Sequence, residues 1–83
     1  MKIKFASDLI KITFEKAEPF EERSLIIYGE VLQNGFAAVI STMSWLPSNS
    51  SGNALSEAEK ETVCKLIDSY NKKNKFFIDL VEG

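Results

Sequence analysis

Asn34-Gly35 lies between two runs rich in β-forming residues, Ser24–Leu32 and Phe36–Trp45. Asn and Gly tolerate the positive φ of a type I′ turn, so this arrangement is the strongest short-range hairpin signal a sequence can carry. The register is open. A two-residue loop pairs Tyr28 with Ser41, and a three-residue loop that includes Gln33 pairs Tyr28 with Ile40. Both runs carry apolar residues on both faces, which suits a central hairpin partly covered on each side. Gly29, inside the first run, marks a bulge or the close approach of another element.

Around this hairpin the pattern predicts further strands. Ile10, Ile12 and Phe14 alternate with Lys11, Thr13 and Glu15, and Ile3 and Phe5 alternate with Lys2 and Lys4. A period of two places one apolar face on a core. Ser7-Asp8 interrupts these two pieces as a bend or bulge. Ala17 to Arg23 contains Pro19, which cannot donate to a ladder, so this stretch is a loop. The polar stretch Ser48–Asn53 is a flexible connection. Beyond it, Ser56 followed by Glu59 forms a capping box. Ala58, Val63, Leu66, Ile67 and Tyr70 then fall on one helical face. Acidic residues cluster at the start of this helix and lysines at its end, matching the dipole, with Asn71 and Asn74 as candidate C-caps. Phe76–Leu80 closes the chain as a strand. The expected fold is therefore α+β, in the order β-β-β-α-β: an antiparallel sheet of four to five strands with one helix packed on one face. With 83 residues the chain is expected to form a single domain, residues 1–83.

The same residues limit the chemistry. There is no His, the commonest general base and metal ligand. Ser56 has no base or elbow motif and reads as an N-cap, and Cys64, beside the apolar stripe, reads as a half-buried structural thiol. The close carboxylates Glu21-Glu22 and Glu57/Glu61 make a poor metal site without His or a second Cys. Gly29, Gly35, Gly52 and Gly83 are isolated, so no phosphate-cradling loop is present. The reading is no enzyme, no catalytic residue, no metal and no cofactor. A pI near 5.1 and a single arginine argue against a nucleic-acid partner. No signal peptide or spanning segment is apparent, and one cysteine cannot form an internal disulfide, so a soluble cytoplasmic protein with no membrane partner is expected.

Binding residues are then the candidates. Trp45 and Pro47 stand at the mouth of the polar loop, and tryptophan is enriched at interfaces for its large area and polar tip. The competing reading is that Trp45 caps the core beneath the loop. Glu18, Glu21 and Glu22 form an acidic run suited to a basic partner, or simply a solvated loop.

The order of motifs carries a resemblance. Gly29-Glu30-Val31-Leu32 and Gly35-Phe36 are followed by Ile40-Ser41-Thr42-Met43-Ser44-Trp45-Leu46-Pro47. A polar loop then leads to Leu55-Ser56-Glu57-Ala58-Glu59-Lys60, the helix and Phe77-Ile78-Asp79. Over about residues 10–80 this resembles the immunity protein 74 family, small bacterial proteins of polymorphic-toxin and contact-dependent growth inhibition systems. Ser48 stands in place of a second proline of that pattern, and Ser and Asn in place of acids in the loop. The resemblance implies a stoichiometric inhibitor that binds a cognate toxin domain inside the producing cell. The alternative is a general interaction module or accessory subunit that pairs through a sheet edge or self-associates.

Overall fold

The computed structural model describes residues 1–46, 53–75 and 77–82. Its strands are β1 (Lys2–Phe5), β2 (Leu9–Thr13), β3 (Ser24–Leu32), β4 (Gly35–Val39), β5 (Ser44–Trp45) and β6 (Phe77–Val81), and its helix is α1 (Glu57–Lys73). The sheet order is β1-β2-β3-β4-β6, with the short β5 also on β3. The class is α+β with one helix on one sheet face. The sheet is mixed, and this corrects the all-antiparallel expectation: β4 and β6 run parallel, Phe36 beside Ile78 and Ala38 beside Leu80. The reason is the connection. A parallel neighbour needs a crossover of a dozen or more residues, and the chain between β4 and β6 contains β5 and all of α1.

The central hairpin adopts neither expected register. Leu32 pairs with Gly35 and Gly29 with Ala38, so the turn is Gln33-Asn34 and Gly35 already belongs to β4. No glycine among the described residues has positive φ, and Asn34 does not either. Gly35 is needed for space: a Cβ there would strike the carbonyl of Phe77 in the adjoining strand. Gly29 plays the same role on β3, where a Cβ would meet the Ala37 carbonyl and the Phe36 ring. Further along, Ile26 pairs with Ser44 and Leu25 with Trp45. Ile40–Thr42 are looped out as a 3-10 turn between β4 and β5. Tyr28 loses its ladder acceptor there, and its N–H donates instead to Thr42 Oγ1 at 2.9 Å. That hydroxyl donates in turn to the Val39 carbonyl at 2.7 Å.

One core fills the space between sheet and helix. Ile10, Ile12, Leu25, Ile27, Phe36 and Ile78 come from alternate positions of four strands and meet Val63 and Ile67 of α1. Burying each such side chain contributes about 1.5–3 kcal/mol, which a small chain with a single cysteine, and so no internal disulfide, needs. The helix begins as its capping box predicts. Ser56 Oγ accepts from Glu59 N–H at 3.2 Å, and Ser56 N–H donates to the Glu59 carboxylate at 2.8 Å. Asn74 is the C-cap, but Asn71 is not. Its side-chain amide bonds both the N–H and the carbonyl of Ile78, each at 2.8 Å.

Candidate functional site: the acidic β2–β3 loop

Residues 14–23 connect β2 to β3, and hydrogen bonding holds this loop at every turn. Phe14 N–H donates to the Arg23 carbonyl at 2.9 Å and Glu22 N–H to the Phe14 carbonyl at 3.0 Å. Three non-glycine residues take left-handed backbone conformations: Ala17 (φ 69°), Phe20 (φ 61°) and Glu22 (φ 62°). Each costs about 1–3 kcal/mol and persists only where surrounding contacts enforce it.

Those contacts are carboxylates and aromatics. The Glu18 carboxylate accepts from Glu15 N–H at 2.7 Å and from the Met1 ammonium at 2.8 Å. The ammonium also reaches Glu15 at 3.3 Å. Glu21 accepts from Ala17 N–H at 3.0 Å. On the core side, Phe20 stands edge-on to Phe14 at 5.5 Å and to Trp45 at 5.0 Å between ring centroids. The hydrogen bond to the ammonium holds Glu18 below the usual carboxylate range, and the same contact pushes the Met1 amine up.

The candidate residues therefore separate. Glu18 is half-buried and acts as an internal strut. Glu21 and Glu22 are exposed, at the surface of a loop fixed from beneath. Trp45 is only 4% exposed and belongs to the core, so the ring offers no contact area of its own. Arg23 covers it, the guanidinium carbon 3.8 Å from the ring centroid, an arrangement worth roughly 0.5–2 kcal/mol. Arg23 also lies 4.0 Å from the Glu59 carboxylate. Glu59 is held below its usual range first by the Ser56 amide, then by the nearby Trp45 indole and Arg23. The indole N–H, although buried, makes no hydrogen bond of good geometry. Pro47 lies outside the described residues, as does the polar loop from Ser48 to Gly52. Sequence reading missed the part played by Arg23 and Phe20. The signal available was Phe20 and Arg23 flanking the acidic pair, both out of step with a merely solvated loop.

Elsewhere, burial pushes the Cys64 thiol up, with Asp68 adding to the effect. Among the described residues no group of three or more His, Cys, Asp or Glu side chains could hold a metal ion. No helix among them is long and apolar enough to cross a membrane. A second surface lies at the end of the β3–β4 hairpin, where Val31, Leu32 and Phe77 are 56%, 40% and 54% exposed. Comparison with known proteins brings no relative: no family model, curated protein or solved structure matches the chain.

Proposed function

We propose that this protein works by stoichiometric binding to another protein, as an immunity protein that occupies a cognate toxin domain and keeps it inactive. The observation that carries the reading is the β2–β3 loop. Three left-handed non-glycine residues, Glu22 among them, are held in a loop that displays exposed carboxylates, a geometry that costs stability and is retained where a site needs it. A preorganised loop loses little entropy on binding, so more of its contact energy appears as affinity. Glu21 and Glu22 supply negative charge for steering toward a basic surface, with Glu18 as the strut beneath them. The motif order over residues 10–80 supports the choice of an immunity protein within this class, acting in the cytoplasm of the producing cell.

The alternative, pairing through a sheet edge, has the exposed Val31, Leu32 and Phe77 in its favour. Asn71 weakens it, because its amide already occupies the backbone of Ile78 on the β6 strand and so blunts that strand as a template.

The test is co-expression with the toxin domain encoded beside this gene. Growth rescue and a co-purifying complex are expected. The double substitution Glu21→Gln/Glu22→Lys keeps an acceptor for the Ala17 N–H and should slow association about tenfold or more while leaving the melting temperature near wild type. Absence of any complex with that domain, or association unchanged by this loss of negative charge, removes the reading.

A further inference from the structure

The sheet face turned away from α1 has a charge pattern that the fold itself does not use. Lys4 and Lys11 are directly opposite one another in the β1–β2 ladder, both exposed. Like charges in that relation repel. Across the sheet, Glu30 and Asp79 flank Ala37 in a single row, and both are exposed. None of these four side chains makes an ion pair among the described residues.

Between the two charged pairs the face is apolar. Tyr28 pairs with Leu9 and is 45% exposed. A groove of about 410 Å³ is lined by Glu30, Ala37, Val39 and Val81. Its floor suits the alkyl stem of a lysine and its rim suits the ammonium.

We infer that this face is an interface with a second copy of the same chain. The register gives the geometry. The lysine pair sits on β1 and β2, one row before Tyr28 on the same face. The acidic pair sits on β3 and β6, one row after it. With strands ~4.8 Å apart and ~3.3 Å per residue, the two pairs are on the order of 15–20 Å apart along a diagonal, and Tyr28 stands near its midpoint. A two-fold axis lying in the interface over Tyr28, perpendicular to that diagonal, sets Lys4 and Lys11 of each copy against Glu30 and Asp79 of the other. The self-repelling pair on one copy then meets opposite charge, twice, by symmetry. The two sheets cross steeply, one of the two packing angles open to sheet faces. A contact limited to one small sheet face belongs to the weak class of interfaces, so a dissociation constant in the micromolar range is expected. This dimer leaves the β2–β3 loop outside the contact and does not depend on the toxin reading.

Charge swapping tests it with the full chain. At concentrations on the order of 100 μM and low salt, the wild type should sediment at twice its monomer mass of 9.3 kDa, with a dissociation constant near the micromolar range expected of small interfaces. Added salt should shift it toward monomer. Lys4→Glu/Lys11→Glu makes both patches acidic and Glu30→Lys/Asp79→Lys makes both basic. Each variant alone should be monomeric, with an unchanged circular dichroism spectrum because all four positions are exposed. Mixing the two variants should restore a one-to-one dimer, since every repelling pair becomes an attracting one. A wild type that stays monomeric under these conditions overturns the inference. So does a mixture that fails to associate, or single variants that dimerise as wild type does. A wild type that stays monomeric yet binds its toxin overturns only the dimer, and a dimer that ignores the toxin overturns only the proposed function.

Discussion

Along β2 and β3 the face beneath α1 carries Ile10, Ile12, Leu25 and Ile27, all fully buried, while the opposite face carries Lys11, Thr13, Tyr28 and Glu30 together with Ile26, which is 8% exposed. One alternating pattern thus writes two surfaces with opposite duties. The covered face holds no charge and is closed by Val63 and Ile67 from the helix. The open face holds Lys4, Lys11, Glu30 and Asp79, none of which makes an ion pair among the described residues. Strand alternation alone accounts for the first. It does not account for two lysines placed opposite each other on the second, where alternating signs would cost nothing and stabilise the ladder. That contrast leaves stability to one face and, in the dimer we infer, association to the other.

The sharpest way to break the contrast is to truncate a large side chain on each face. Phe36→Ala, on the covered face and fully buried, should cost about 3–5 kcal/mol in urea denaturation, through lost burial and the cavity left behind. Tyr28→Ala on the open face should cost about 1 kcal/mol or less. Equal costs would mean that the open face is packed against something within the chain. Next in size comes the backbone contact between strands. Gly29→Ala pushes a methyl group into the Ala37 carbonyl and the Phe36 ring and should cost about 2–3 kcal/mol. A neutral effect would show that β3 and β4 can separate at this point without loss. Ser56→Ala removes the acceptor for Glu59 N–H and should cost about 1 kcal/mol. This substitution touches neither sheet face, so it calibrates the scale for the other three.

How much of this was legible beforehand differs by element. The capping box at Ser56 and Glu59 and the apolar stripe through Val63 and Ile67 were readable because both are local and periodic. The strands were readable by alternation, and so was their division into faces. The hairpin register was not, because Asn34-Gly35 carries a turn signal that the fold does not use. Gly35 is required by the neighbouring β6 strand, and a contact more than 40 residues away in sequence leaves no local trace. The parallel placement of β6 escaped for the same reason. At the candidate site, the acidic character of the β2–β3 loop was visible, but its division of labour was not. Glu18 turned inward because the Met1 ammonium reaches it, and Trp45 was covered because Arg23 and Phe20 close over it. Each of those contacts joins residues far apart in the chain.

The smallest expected effect concerns the strut beneath the acidic loop, and it separates a fixed loop from a solvated one. Glu18 has its pKa below the ordinary 4.5 because it accepts from the Met1 ammonium and the Glu15 amide. Its contribution to stability is therefore present above 4.5 and is lost as the pH falls through its folded value. The Met1 amine is raised above 8.0, chiefly by the same hydrogen bond. Its contribution is present below 8.0 and is lost as the pH rises through the folded value. The pair thus stabilises the loop most fully between the two ordinary values. Because both groups are near the surface, the effect should not exceed about 1 kcal/mol at its maximum. The difference in unfolding free energy between wild type and Glu18→Gln should accordingly be greatest near neutral pH and shrink on both the acid and the alkaline side. Acetylating the Met1 amine should remove the alkaline slope and leave part of the acid one, because the Glu15 amide still donates to Glu18. A difference that stays flat across this range would mean that Glu18 is solvated and that the left-handed residues of the loop are held by the aromatic cluster alone.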